Sequence, residues 1–528
     1  MSELQIAPSR DDVVNLSLPE VAAHTAGRNS STALDALKLI FSFPAMLGML
    51  LVGAVLSAVR AFNLDPDVWW HVKVGQSILD THHWPTVDPY SFTVYGQPWL
   101  SYEWIGDVLL GKANRLGGVV AMEVLLLTLG SAIIIGLYCL GTLRSGKSKA
   151  GLAGAAILFM LATVSFSLRP QMLGYLFLIL AVTILEGFRQ GHRRWIWFLP
   201  PLMLIWVNAH GSWIIGLGTV FVYWMSGLVE FQAGNLVARR WSYDDRLRIE
   251  TVFMLCLAAL PITPYGTRLC TYPFEVASSL PLNIENIKEW QSMPFHMVGG
   301  KIFLILLLGF IIVHVITRFT WRLEEFFLFL LGTAMACIHV RFLLIFVPFF
   351  APLLATVLGR WIDAYDQRKD RFVLNAVIMT AVLFGIWHYF PSRSELNKSV
   401  AKQFPVKAVE YLNAHDIPGP MYDTYGFGGY LVWSRGPEHK VFIDGRGELY
   451  ERGGLLGDYL VIALIKPGAV TVLQSYGVRS CLIERDEPLA TLLGVAPGWK
   501  RVYVDDLSAL FVREGNSENR IQAASLGR

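Results

Sequence analysis

Apolar runs of about twenty residues recur along most of this chain, and no other feature constrains its fold as strongly. A helix needs ~20 apolar residues, at ~1.5 Å of rise each, to cross the ~30 Å hydrocarbon core of a bilayer. Stretches such as 150–164 and 302–316 are continuous apolar runs and lack the alternation of a membrane β-strand. Composition agrees: 54% of the 528 residues are apolar and only 16% are charged, against about 25% charged in a soluble chain. A net charge of +3 is no electrostatic footprint for DNA or RNA, so no nucleic-acid partner is expected. A soluble enzyme and a disordered chain are likewise excluded, leaving a polytopic helical membrane protein. The five cysteines (Cys139, Cys256, Cys270, Cys337, Cys481) form no C-x-x-C pair, which argues against a zinc site or a disulfide framework.

Residues 1–37 are polar and lack the apolar core of a signal peptide, so they are expected to form a cytosolic tail. Eleven spans are predicted near 39–60, 118–142, 150–167, 171–188, 195–209, 212–233, 247–263, 300–317, 323–340, 341–359 and 372–390, a membrane domain of 38–390. Five loops (144–149, 189–194, 234–248, 318–322, 360–371) hold sixteen Lys or Arg, whereas the alternate connections after the second span hold five. The positive-inside rule then places the N-terminus and the basic loops in the cytosol, the basic loops as plain tethers. It places the long loop 61–117 and everything after 390 outside. Within that loop, Asp67–Leu79 and Ser101–Leu116 read as amphipathic helices lying flat in the interface, with Trp and Leu in lipid. Residues 391–528 have a soluble composition, with a helix over 405–415 and strands over 441–444, 478–484, 501–505 and 509–513. The expected fold is thus an all-α bundle of about eleven transmembrane helices plus a small extracytoplasmic α/β domain.

Unusual polar residues gather on the loops poor in Lys and Arg. Asp65 and Asp67 stand in Asp65-Pro66-Asp67-Val68-Trp69-Trp70-His71, where a low dielectric lifts a carboxyl towards the range of a general base. The same two could instead cap the helix that follows. An Asp-x-Asp pair is also a spacing that takes a divalent metal ion. His71 shares the helix face of Asp67 and could add a metal or phosphate ligand. Arg169, beside the helix-breaking Pro170, is a candidate phosphate ligand or an arginine snorkelling to the interface. Arg341 with His339 reads the same way, or as the flank of the tenth span. His210 and Asn208, in Asn208-Ala209-His210-Gly211-Ser212, are more than a helical turn requires. Tyr265, Glu289 and Trp290 are candidates for shaping a cavity, and Glu103 either joins them or serves the first turn of its own helix. Gly426-Phe427-Gly428-Gly429-Tyr430 lacks the spacing of a dinucleotide loop, and Asp444-Gly445-Arg446-Gly447 reads as a turn.

An acidic residue opening the first extracytoplasmic loop, between interfacial helices after the first span, resembles the membrane glycosyltransferases of the GT-C superfamily. These include protein O-mannosyltransferases, the aminoarabinose lipid A transferase and rhizobial lipopolysaccharide transferases. Several carry His-Pro-Asp-Glu at this place; Pro66-Asp67 matches its centre, with Asp65 in place of the His and Val68 in place of the Glu. The longer pattern is similar to that of a group of bacterial polytopic membrane proteins: Asp-Pro-Asp-x-Trp-Trp-His, Asp88-Pro89-Tyr90-Ser91-Phe92-Thr93, Trp-x-Asn-x-His-Gly and a Gly-Gly-Tyr-Leu…Asp-Gly-Arg tail. The resemblance implies a polyprenyl-phosphate sugar donor, an extracytoplasmic glycan, lipid or protein acceptor, inversion at the anomeric carbon, and a bacterial plasma-membrane location. It makes Asp67 the base with Asp65 in reserve, and gives the donor phosphate to Arg169, His210, Arg341 and His71. A transporter or flippase for a lipid-linked saccharide and a non-catalytic envelope scaffold are the alternatives.

Overall fold

The computed structural model describes residues 33–59, 65–162 and 166–514; most of the polar tail expected at 1–37 lies outside these. Helices occupy all eleven apolar segments named above. Five of them are long and apolar enough to cross a membrane by length and composition: Val119–Ser145, Gln171–Arg189, Val298–Thr317, Val340–Leu358 and Phe372–Tyr389. The first predicted span is broken in two, Ala33–Ile40 and Phe43–Val59. Small residues let the central helices approach closely. A Cβ on Gly141 would crowd Ala355 and the backbone of Gly151 at 3.1 and 3.2 Å, tighter than ordinary van der Waals contact, and Gly154 faces Ala355 as well.

At one end of the bundle, the basic loops are more than tethers. Arg144 pairs with Glu325 at 2.6 Å, Arg189 with Glu324 at 2.8 Å, and Arg322 with Glu186 at 2.9 Å. Buried carboxylates need such partners, so these arginines are structural. The helix expected to run to 233 ends at Ser226. Phe231–Ala233 and Leu236–Ala238 then form an antiparallel hairpin that Trp321–Arg322 joins in parallel.

The opposite end carries the long loop and the C-terminal residues. Helix Val68–Thr81 packs on helix Trp104–Gly117 through Gly75 and Gly111; a Cβ on Gly75 would overlap the Asp107 backbone. The tryptophans of the first helix are covered by protein and do not project towards lipid. Trp69 and Trp70 are buried, and Trp69 packs against Phe404, Tyr430 and Trp433 at 5.6, 5.1 and 4.5 Å between rings. The aromatic face is covered by protein, which offers these rings edge-to-face and tilted partners that a lipid tail cannot.

Residues 393–513 build a four-stranded sheet in the order Met421–Asp423, Ser480–Glu484, Ser508–Arg513, Trp499–Val504, its first pair parallel and the others antiparallel. Four successive residues, Ser480 to Ile483, are buried, as in a strand covered on both faces. The strand predicted at 441–444 does not form. Val441 instead exchanges backbone hydrogen bonds of 3.0 Å with Tyr90 and Phe92 of the long loop. Nor is Asp444–Gly447 a solvated turn, because Arg446 is wholly buried there. Arg446 donates to Asp88 of the long loop at 2.6 Å and to both oxygens of Asp444 at 2.8 and 2.6 Å. Its guanidinium also stands 4.7 Å from the centre of the Trp99 ring. This clasp fastens the C-terminal residues to the long loop.

Candidate active site

Asp67 occupies the N-cap of helix Val68–Thr81 but makes no side-chain cap, so its carboxylate is free for other partners. Asp65 takes the local role instead, accepting the Asp67 backbone N–H at 3.0 Å. Arg169 reaches these acids from the turn before helix Gln171–Arg189. Its Nε stands 3.0 Å from Asp65, its Nη1 2.8 Å from Glu289, and its Nη2 contacts Asp67 Oδ2. Pro170 fixes the approach by packing on Gly106, where a Cβ would overlap it. Gly445 covers the other side, since a Cβ there would overlap the Asp67 carboxylate. Burial lifts the Asp67 carboxyl to about 6, against the pull of Arg169 and with a push from Asp65.

A second polar chain runs beside the first. His71 Nδ1 lies 2.5 Å from Asp107 Oδ1, and Asp107 Oδ2 also accepts from the Ser101 hydroxyl. His71 Nε2 faces Glu103 at 3.9 Å, and Glu103 Oε1 meets His210 Nε2 at 3.2 Å. His210 Nδ1 accepts the Ser212 backbone N–H at 3.1 Å and lies 2.8 Å from its hydroxyl, which assigns the ring proton to Nε2, aimed at Glu103. Burial pushes Glu103 up to about 8, although His71 and Arg169 oppose it. Burial also pushes His210 down to about 3, aided by the charges of Arg341 and Arg169. Burial disfavours the His71 imidazolium, but the Asp107 carboxylate outweighs it and the pKa stands above the ordinary value.

Arg341 lies over the Trp290 ring at 4.2 Å, and the described residues give it no carboxylate partner. His339 Nδ1 bonds the Trp290 carbonyl, and Tyr175 donates to the Arg341 carbonyl at 3.4 Å. Both turns are thereby fixed. Beside the site, Trp99, Tyr272, Glu448, Arg268 and Arg452 line a cleft of about 180 Å³ between the long loop, helix Arg268–Ser279 and the C-terminal residues. Tyr102 packs tilted against Tyr272, 4.5 Å between ring centres, and links this cleft to Glu103.

Most of the residues singled out from sequence therefore come together, with three corrections. Asp65, Asp67 and His71 do not form a metal-ligand set, because Asp107 holds the His71 ring and Arg169 stands between the aspartates; among the described residues no group of three His, Cys, Asp or Glu is placed to hold a metal. Asn208 does not line a cavity. Its amide is consumed by Trp104 at 2.8 Å, the Leu204 carbonyl at 2.9 Å and the Ile262 carbonyl at 3.0 Å. Tyr265 is likewise a brace, donating to the Pro85 carbonyl at 3.0 Å and accepting the Ser101 N–H at 3.1 Å. Sequence reasoning missed Asp107 and Gly445. Asp107 was within reach, since it lies one helical turn from Glu103 on the same face.

No protein-family model and no curated protein sequence matches the chain. Solved structures do. An oligosaccharyltransferase from Archaeoglobus fulgidus, tethered with an acceptor peptide, superposes with a TM-score of 0.51 at 10% identity, over 84% of this chain and 70% of that one. ArnT from Cupriavidus metallidurans, bound to undecaprenyl phosphate, gives a TM-score of 0.50 at 13% identity, over 92% of this chain and 99% of that one. Both are GT-C glycosyltransferases, and the chain has the GT-C fold that its first loop resembles in sequence.

Proposed function

We propose that this protein is a glycosyltransferase that moves a sugar from a polyprenyl-phosphate donor to an acceptor at the membrane face carrying the site. The observation that carries this reading is the Asp67 carboxylate. It is buried, held by Arg169, roofed by Gly445, and lifted to about 6, so it is ionised at neutral pH yet basic enough to take a proton. The acceptor hydroxyl gives its proton to Asp67 as its oxygen bonds to the anomeric carbon from the face opposite the phosphate. The carbon–oxygen bond to the lipid phosphate breaks with its electron pair, which inverts the anomeric centre. The departing phosphate is already anionic and needs no general acid. Asp65 is a positioning residue that steadies the Asp67 backbone and Arg169.

The phosphate belongs with Arg341. Arg169 is engaged by three carboxylates, so its surroundings repel a further anion. His210 is uncharged and sits between Ser212 and Glu103, and His71 is held by Asp107 on one nitrogen and faces Glu103 with the other. Among the described residues Arg341 has no carboxylate partner, and it stands on an aromatic platform, so its charge can meet the charge developing on the phosphate. The undecaprenyl phosphate bound by the similarly folded ArnT supports a lipid carrier of this kind. The cytosolic N-terminus, the plasma-membrane setting and the eleven crossings belong to the same proposal.

The test incubates the purified protein with a panel of polyprenyl-phospho-monosaccharides and envelope glycans and measures polyprenyl phosphate release. Asp67→Asn should lower the rate by about 10²–10⁴-fold while leaving membrane insertion and thermal unfolding unchanged. A fully active Asp67→Asn protein would sink the assignment. Arg341→Ala should weaken polyprenyl phosphate binding roughly tenfold or more, the scale of one lost charge-assisted contact, and Arg341→Lys should recover part of it.

A further inference from the structure

The carboxylates that meet Arg169 come from distant stretches of chain, Asp65 and Asp67 ahead of the first loop helix and Glu289 from the turn Lys288–Trp290. Three acids gather in a partly buried place only around a positive charge, since unpaired they would repel and lose their water. A divalent ion is one such charge, and it would need these oxygens at ~2.0–2.6 Å from a common point. Among the described residues no such point exists, and the acids meet on a guanidinium instead. Each nitrogen of the guanidinium faces a different carboxylate, and the Arg169 side chain is mostly buried, at 17% exposure. Its backbone is fixed as well, with the Arg169 N–H on the Ser167 carbonyl at 2.9 Å and Pro170 seated on Gly106.

We propose that Arg169 is the resident cation of this site, a covalently held substitute for a divalent metal ion. It orients Asp67 and holds the three acids apart, so that they can close on a divalent ion only when the guanidinium is removed. On this assignment Arg169 is a positioning residue. The inference rests on the geometry of the four side chains and stands apart from the transferase reading.

The probe is Mn²⁺, read by its electron paramagnetic resonance and by thermal unfolding of the full-length protein in lipid nanodiscs. The wild-type Tm should not move with EDTA or millimolar Mn²⁺, and no bound Mn²⁺ should depend on Asp65 or Asp67. Arg169→Ala should unfold at lower temperature, bind one Mn²⁺ and recover Tm when it is added. Arg169→Ala combined with Glu289→Gln should lose that recovery. Arg169→Lys should remain indifferent to the metal, because its ammonium keeps the positive charge. Should Arg169→Ala not fold alone, its recovery only with Mn²⁺ present throughout purification supports the proposal. Mn²⁺ bound by the wild type and lost in Asp67→Asn overturns it, as does a folded Arg169→Ala protein that ignores the ion. None of these readouts involves sugar transfer, so a failed transferase reading leaves the outcome intact. Where transfer is measurable, EDTA should leave its rate unchanged.

Discussion

Asp67 and Arg169 stand 102 positions apart in the chain and touch in the fold. Their meeting has a consequence for pH. A carboxylate base works only when ionised, and burial lifts Asp67 from 3.8 to about 6. Transfer should therefore be complete above that value and fall about tenfold per unit below it, so that kcat/KM against pH has an acid limb near 6 in place of one near 4. Arg169 favours the ionised form, so residual activity in Arg169→Gln should show this limb at higher pH. A limb unmoved by that substitution would separate the two residues. Much of this was legible in sequence, because an acid after the first span and an arginine stranded between two apolar segments each announce a polar site. What sequence could not disclose is saturation. That Glu289 would also turn onto Arg169, and that Asp107 would claim His71, depends on packing between segments far apart along the chain.

Among the elements, the two helices of the long loop lie within about three residues of the bounds their spacing marks, Asp67–Leu79 against Val68–Thr81 and Ser101–Leu116 against Trp104–Gly117. What covers their aromatic face is not fixed by spacing. An amphipathic face carrying Trp69 and Trp70 looks the same whether lipid or protein covers it, and only residues 404–433 decide the matter. The stretch 441–444 is a similar case, where an apolar run pairs with the loop at Tyr90 and not with the sheet. Asp88 and Arg446 are 358 residues apart, and no local pattern marks a pair of that kind. Its energetic weight can be measured. Arg446→Met would leave Asp88 and Asp444 buried without a counter-charge, which costs about 3–5 kcal/mol. The expected result is a lowered Tm and early proteolytic release of the residues after 391, with the apolar helices still inserted. Unchanged protease resistance would show that the clasp is dispensable.

For the whole molecule, the positive-inside count and the structure divide the chain in the same way. Arginine–glutamate pairs brace one end, and the carboxylate–guanidinium cluster with the C-terminal sheet occupies the other. A chain whose N-terminus is cytosolic should carry its last residues across the membrane. Alkaline phosphatase fused after Arg528 should then be active, and a cytosolic reporter at the same point should be silent; the reverse pattern would invert the topology. The helical bundle was readable because hydrocarbon thickness imposes one length on every crossing segment. The shorter helices, such as Leu199–Val207 with two prolines in its first turn, depart from that length and blur the count.

Gly445 and Arg446 leave the ribosome after every helix apolar and long enough to cross the bilayer has been made. Until then nothing screens Asp67 on that side, and an acid open to water keeps its ordinary strength and makes a poor base. A polypeptide arrested short of this point would assemble its greasy core and still be inert. On the proposed function, completion of synthesis arms the protein, and an unfinished copy in the bilayer would not consume a lipid-borne donor.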